Sequence, residues 1–175
     1  LFASDQDGDP ELHLLTIATN EERVLTDNDV DDMVPSFSPD GSHIVMMRGV
    51  GPSHQLWVAD ADGGHQHRIP GSPDDVNWPA WSPDGNQVVY TSDGVPFIID
   101  AAGGDPFRIP IERVRVVDLP SWAPGDHILF GSDGDLWSVA PDGSALTRLT
   151  STSTIEEAPV RSPTGDIVFQ RQHRY

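Results

Sequence analysis

The sequence predicts an all-β fold, a β-propeller of four-stranded blades, and three observations carry that prediction. A heptapeptide recurs: PSFSPDG from Pro35, PAWSPDG from Pro79, PSWAPGD from Pro120 and PVRSPTG from Pro159, at intervals of 44, 41 and 39 residues. A period near 40 residues marks a supersecondary unit copied along the chain, as in solenoids and propellers. Each copy holds several short apolar runs, and the 16 Gly and 16 Pro that separate them are spread evenly rather than gathered in one tract, which is the punctuation of an all-β chain. No segment shows apolar residues at helical spacing. Four short strands joined by hairpins make a blade. One blade is too small to bury both of its faces, so the stack is the stable object.

The elements follow in order. Phe2-Ala3-Ser4-Asp5 matches Tyr90-Thr91-Ser92-Asp93 and Phe130-Gly131-Ser132-Asp133, so the chain opens at the second strand of a repeat. A turn over residues 5–10 leads to a strand over 11–18, and a turn at Asn20 leads to a short strand over 23–26. Phe37 centres the first strand of the next repeat. Ser38-Pro39-Asp40-Gly41 closes it as a β-turn, since Pro presets φ, Asp bonds the backbone ahead and Gly accepts positive φ. Strands are expected over 43–47 and 55–59 with a loop over 49–54 between them. Asp62-Gly63 is a hairpin turn, and Arg68-Ile69 lies in the fourth strand. The same course repeats through Trp81, Tyr90, Phe97 and Arg108, and again through Trp122, Phe130, Trp137 and Arg148. A last first strand near Val160 and a second strand at Ile167-Val168-Phe169 end the pattern. The whole reads as a single propeller domain over 1–175: a partial blade 1–30, blades 31–73, 74–117 and 118–155, and a partial blade 156–175.

Two further registers support the repeat. Trp57, Phe97 and Trp137 are evenly spaced, as are Arg68, Arg108 and Arg148. The aromatics are expected in the core between blades, where they bury large apolar areas. The arginines are expected to lay their stems along a neighbouring strand and pair with surface acids.

Ten basic residues, all Arg, face 28 acidic ones, for a net charge of −18. That charge repels nucleic-acid phosphates and anionic lipid surfaces and favours basic partners. No run approaches the length of a membrane-spanning helix, so membrane insertion is not expected. With no Cys, disulfides and thiolate metal sites are excluded.

The unit built from PSFSPDG, LWVADADGG, PAWSPDG, LWSVAPDG and the opening FASDQDGDPEL resembles the TolB-type propeller repeat, a WD-repeat-like family. PSWAPGD moves the Gly, and PVRSPTG puts Arg161 in the place of the aromatic, so those two units depart from the pattern. The resemblance implies about six blades in relatives, first strands lining a central channel, a location outside the bacterial cytoplasmic membrane, and protein partners held on a propeller face. It implies no catalysis and no cofactor. The chain is therefore read as part of a larger propeller, with a closed four-bladed ring as the alternative. Either arrangement leaves an unpaired edge strand, which invites self-association. A different reading is the substrate-gating propeller of a prolyl-oligopeptidase-like serine peptidase whose catalytic domain lies elsewhere. The chain itself shows no nucleophile elbow and no phosphate-binding loop.

In a propeller the loops entering the first strands meet at one mouth of the channel. Here they are acidic: Asp31 and Asp32, Asp74 and Asp75, Asp118, and Glu156 and Glu157. An acidic rim of Asp32, Asp75, Asp118 and Glu157, with Trp78 as an aromatic ledge, is the candidate site for a cation or for a basic peptide or protein segment. The competing explanation is that loops are polar and this chain is acidic throughout. Residues 5–11 and 60–63 look superficially like calcium loops, but the Gly and the downstream Glu are misplaced, so ordinary turns are expected. His65 and His67 form half a transition-metal site with no third ligand suggested.

Overall fold

The computed structural model describes residues 1–175 except Asp7, Gly51, Arg113, Val117, Asp118, Pro124, Pro163, Gly165, Arg174 and Tyr175, and except the side chains of Val50 and Arg161. Among the described residues every regular element is a strand. β1 (Phe2–Ser4), β2 (Glu11–Thr16) and β3 (Glu21–Val24) form a three-stranded sheet. Three four-stranded sheets follow. The first is β4 (Asp32–Phe37), β5 (His43–Val50), β6 (Ser53–Asp60) and β7 (His67–Arg68). The second is β8 (Asn77–Trp81), β9 (Gln87–Ser92), β10 (Val95–Asp100) and β11 (Phe107–Arg108). The third is β12 (Ser121–Ala123), β13 (His127–Ser132), β14 (Asp135–Val139) and β15 (Thr147–Arg148). β16 (Thr154–Arg161) and β17 (Ile167–His173) pair as a final two-stranded sheet. Every sheet is an antiparallel meander in chain order, as a propeller blade requires.

One expected loop is strand instead. β5 and β6 run on until Val50 pairs with Ser53, so Gly49, Val50, Ser53 and His54 belong to the ladder. The ladder continues through Arg48 with Gln55 and Gly49 with His54, past the point where the glycine at 49 suggested a break. Among the described residues β16 pairs only with β17 and β1 only with β2, so the two ends of the chain do not share a sheet.

Among the described residues three hydrophobic clusters form seams between successive sheets. Leu12 and Leu25 of the first sheet meet Ile44, Met46 and Ala59 of the second. The other face of that second sheet, through Val45, Leu56 and Val58, meets Val88, Tyr90 and Ile99. Val89 and Ile98 then face Ile128, Phe130 and Val139. Burying each such side chain is worth about 1.5–3 kcal/mol. Trp57, Phe97 and Trp137 are half-buried and each packs against one seam, as their common register predicts.

The recurring turn has a local cause that repeats atom for atom. Ser38 Oγ donates to Asp40 Oδ1 at 2.6 Å and accepts the His43 N–H at 2.9 Å. Ser82 does the same with Asp84 at 2.6 Å and Gln87 at 2.9 Å. Gly41 and Gly85 then take φ of +71° and +73° and close the turn onto the carbonyls of Ser38 and Ser82. The serine thus holds both sides of the turn, and its hydroxyl, followed by the Ser42 backbone N–H, draws the Asp40 carboxyl down to about 2.

A second glycine register joins blades. A Cβ at Gly63 would stand 2.5 Å from the Leu25 carbonyl oxygen, one at Gly103 2.8 Å from Pro70, and one at Gly143 2.5 Å from Pro110. Each of these turns therefore seats against the exit of the preceding blade's outer strand, and Gly104 N–H bonds the Pro70 carbonyl there at 2.9 Å.

Two outcomes are expected. Gly63→Ala costs about 1–3 kcal/mol in urea denaturation, because backbone must move and a side chain must accept positive φ. An NMR titration of Asp40 gives a midpoint near 2, and Ser38→Ala moves it back toward 3.8. Since the folded carboxyl titrates low, the stability it adds is present above its ordinary value and is lost as pH falls toward about 2.

Candidate functional site

The four first strands β4, β8, β12 and β16 line one hollow of 370 Å³. Its wall is mostly proline and aromatic, with Pro35, Phe37, Pro79, Trp81, Trp122 and Pro159 among the lining residues. The strands are stitched together across it. Trp81 Nε1 donates to the Ser36 carbonyl at 3.1 Å, and Ser121 Oγ donates to the Pro159 carbonyl.

The shape of the wall comes from a bulge repeated in three of the four strands. The ladder slips between Met33 and Ser36, between Asn77 and Ala80, and between Glu157 and Val160. At each slip the residue before a proline has positive φ: Val34 at +51°, Trp78 at +56° and Ala158 at +51°. Proline lacks an N–H, so the extra residue loses no ladder donor there. The left-handed backbone is costly for a β-branched residue such as Val34, about 1–3 kcal/mol. Its recurrence at matched positions around one hollow shows that the arrangement of the wall requires it.

The linkers into these strands lie at the same end as the hairpins between second and third strands, and they bond to them. Val76 N–H bonds the His54 carbonyl at 2.9 Å, Val116 N–H that of Gly94 at 3.0 Å, and Glu156 N–H that of Gly134 at 3.0 Å. The acidic residues expected in these loops have separate fates, and three of them are not in loops: Asp32 opens β4, paired across the ladder with Arg48, and Glu156 and Glu157 lie within β16. Asp32 is fully buried and takes both oxygens to Arg48, with Nε to Oδ1 at 2.7 Å and Nη2 to Oδ2 at 2.6 Å. The Arg48 guanidinium lies over the Trp57 ring at 4.4 Å and also bonds Gln66. Glu156 is likewise buried, and accepts from Arg171 Nε at 2.9 Å. Asp74 is exposed but tied to Gln55 and Arg68. Glu157 is half-buried and accepts from Gln172 at 2.6 Å. Asp75 is exposed at φ +66° and makes no side-chain hydrogen bond or ion pair among the described residues. Trp78, half-buried, sits on the bulge beside Asn77. Asp118 lies outside the described residues.

Sequence reasoning missed the network behind Asp32. Thr26 Oγ1 donates to buried Glu11 and accepts the Leu12 N–H at 2.9 Å, while Asn28 bridges Glu11 and Asp32. Three repeats later Thr150 accepts the Leu136 N–H at 2.9 Å, Thr152 bridges Asp135 and Glu156, and Arg148 pairs with Asp135. The signal is in the sequence as Leu25-Thr26 and Leu149-Thr150, where the two middle repeats have Ile69-Pro70 and Ile109-Pro110. Elsewhere, His65 is engaged with Asp60 at 2.6 Å and His67 with the His65 carbonyl at 2.9 Å. Among the described residues no group of three or more His, Asp or Glu is placed to hold a metal ion.

Fold and hollow together define a β-propeller repeat protein. The chain belongs to the TolB beta propeller domain family, whose model matches residues 1–174. It is 32% identical over 157 residues to the Tol-Pal system protein TolB of Anaeromyxobacter dehalogenans strain 2CP-C, covering 83% of this chain and 36% of that protein. A shorter match, 51% over 39 residues, is to TolB of Albidiferax ferrireducens, covering 22% of this chain and 9% of that one. Among solved structures it is similar to TolB from Acinetobacter baumannii, with a TM-score of 0.74 and 21% identity over 93% of this chain and 43% of that one. It is also similar to a putative TolB from Agrobacterium tumefaciens, with a TM-score of 0.63 and 21% identity over 92% of this chain and 77% of that one. The chain thus spans about a third of the length of the Anaeromyxobacter relative.

Asp32→Ala strands a buried guanidinium and is expected to cost about 3–5 kcal/mol. Asp75→Asn, at an exposed and unpaired carboxylate, is expected to stay within about 0.5 kcal/mol. Chemical denaturation of the two variants side by side checks this contrast.

Proposed function

We propose that the chain is a non-catalytic binding module of the TolB type, working outside the cytoplasmic membrane, which holds a protein or peptide partner at the linker end of its channel. The observation that carries this reading is the convergence of four first strands on one hollow lined by a proline from each repeat and by Phe37, Trp81 and Trp122. An apolar wall suits an apolar or aromatic anchor from the partner, and the carboxylates suit a basic neighbour on the same segment. Asp75 and Glu157 are the rim groups placed to meet such a charge, with Trp78 offering ring surface. Asp118 belongs to the same proposed rim by its place in sequence. Asp32 serves the rim from beneath by fixing Arg48.

The relatives are Tol-Pal system proteins TolB, and a place for this chain outside the cytoplasmic membrane among protein partners follows by likeness to them. That name does not favour the peptidase-gating reading.

Tryptophan fluorescence tests the main reading. A short peptide carrying one Phe and two Lys is titrated at low salt against its Glu-for-Lys counterpart. The basic peptide is expected to bind more tightly and to weaken with added salt. Asp75→Asn with Glu157→Gln is expected to reduce affinity by about two- to tenfold. Equal binding of the two peptides removes the rim from the site.

A further inference from the structure

The matched arginines of the three outer strands do not share one fate. Arg68 pairs with Asp74 at 3.1 Å and also donates to the Ser72 carbonyl, and Arg148 pairs with Asp135. Arg108 is exposed, and its guanidinium has no hydrogen bond or ion pair among the described residues. The cause lies in the ladder. Trp137 faces Arg148 and Phe97 faces Arg108, while Ser132 faces Asp135 and Ser92 faces Val95. Valine therefore stands where the partner carboxylate of Arg148 stands one blade on.

The space beside Arg108 is a hollow of 460 Å³. Its apolar wall is Val95, Pro96, Ile111 and Val114, and a second guanidinium, Arg115, lines it as well. Arg115 is held in place. Its Nη2 donates to the Asp93 carbonyl at 2.6 Å, and the group crosses the bare Cα of Gly94, where a Cβ would stand 3.1 Å from Nε. Val116 N–H to the Gly94 carbonyl pins the segment behind it. The linker that carries these residues, 109–120, is longer than the 69–76 linker of the preceding blade.

The geometry points to a binding site for an apolar monocarboxylate between the Gly94 hairpin and this linker, with Arg108 and Arg115 receiving the carboxylate. The ligand's carboxylate fills the role that Asp135 has for Arg148. Guanidinium donors match a planar carboxylate in pairs, and the aliphatic wall takes an apolar body. Glu112 also lines the hollow, and the chain carries −18 overall, so a multiply charged anion such as phosphate is disfavoured. The site is separate from the acidic rim and takes the opposite charge.

Amide NMR shifts of the full chain, titrated with benzoate, benzamide and inorganic phosphate, test the inference. Benzoate is expected to shift Gly94, Val95, Ile111 and Val114 saturably in the millimolar range, with benzamide and phosphate weaker. Arg108→Gln is expected to weaken benzoate roughly tenfold or more. Val95→Asp, which returns the internal partner, is expected to abolish binding while leaving shifts in the other blades unchanged. Benzoate shifts that fail to saturate, equal binding of benzamide or phosphate, or unaltered affinity in both variants overturns the site.

Discussion

The structure depends on the burial of flat sheet faces against one another. No single sheet here has a core of its own. Tyr90 is buried because Val45 and Val58 lie against it from the neighbouring sheet, and Phe130 because Val89 and Ile98 do. Everything placed at the channel inherits its position from these seams. The bulged strands are held from behind by their own blades and from the sides by Trp81 and Ser121. Strain at Val34 is tolerable because the surrounding packing leaves that backbone no alternative.

Polar groups at the linker end divide into those that build and those left available. Asp32 and Glu156 look alike in sequence to Asp75 and Glu157, yet burial separates them. A carboxylate taken fully from water needs a partner, and Arg48 and Arg171 supply it. The same logic works in reverse at Arg108, where the partner is missing and the guanidinium remains turned to solvent. Val95 stands where Asp135 stands one blade on, and Arg108 lacks both that partner and the linker carboxylate that Asp74 offers Arg68.

The repeat, the strand order and the seam aromatics were legible because each copy checks the others: Trp57, Phe97 and Trp137 cannot share a register by accident and occupy different environments. The turn sequence was legible too, although the serine's double role was not, since a hydroxyl's partners depend on where the chain returns after Gly41. The channel bulge was hidden. Trp78 and Val34 before proline give no sign of a left-handed backbone, because local preference opposes it. Burial of Asp32 was hidden for a related reason: its partner Arg48 lies across a strand pair. The matched Leu25-Thr26 and Leu149-Thr150 pairs were the one visible trace of that network.

The seating of Gly63, Gly103 and Gly143 against the preceding blade is directional. A turn of one unit always meets the exit of the unit before it, never the reverse. Contact surfaces of this head-to-tail kind are interchangeable along the chain, so a whole module can be duplicated or lost by recombination with its junctions still matched. A break inside a module leaves a mismatched joint.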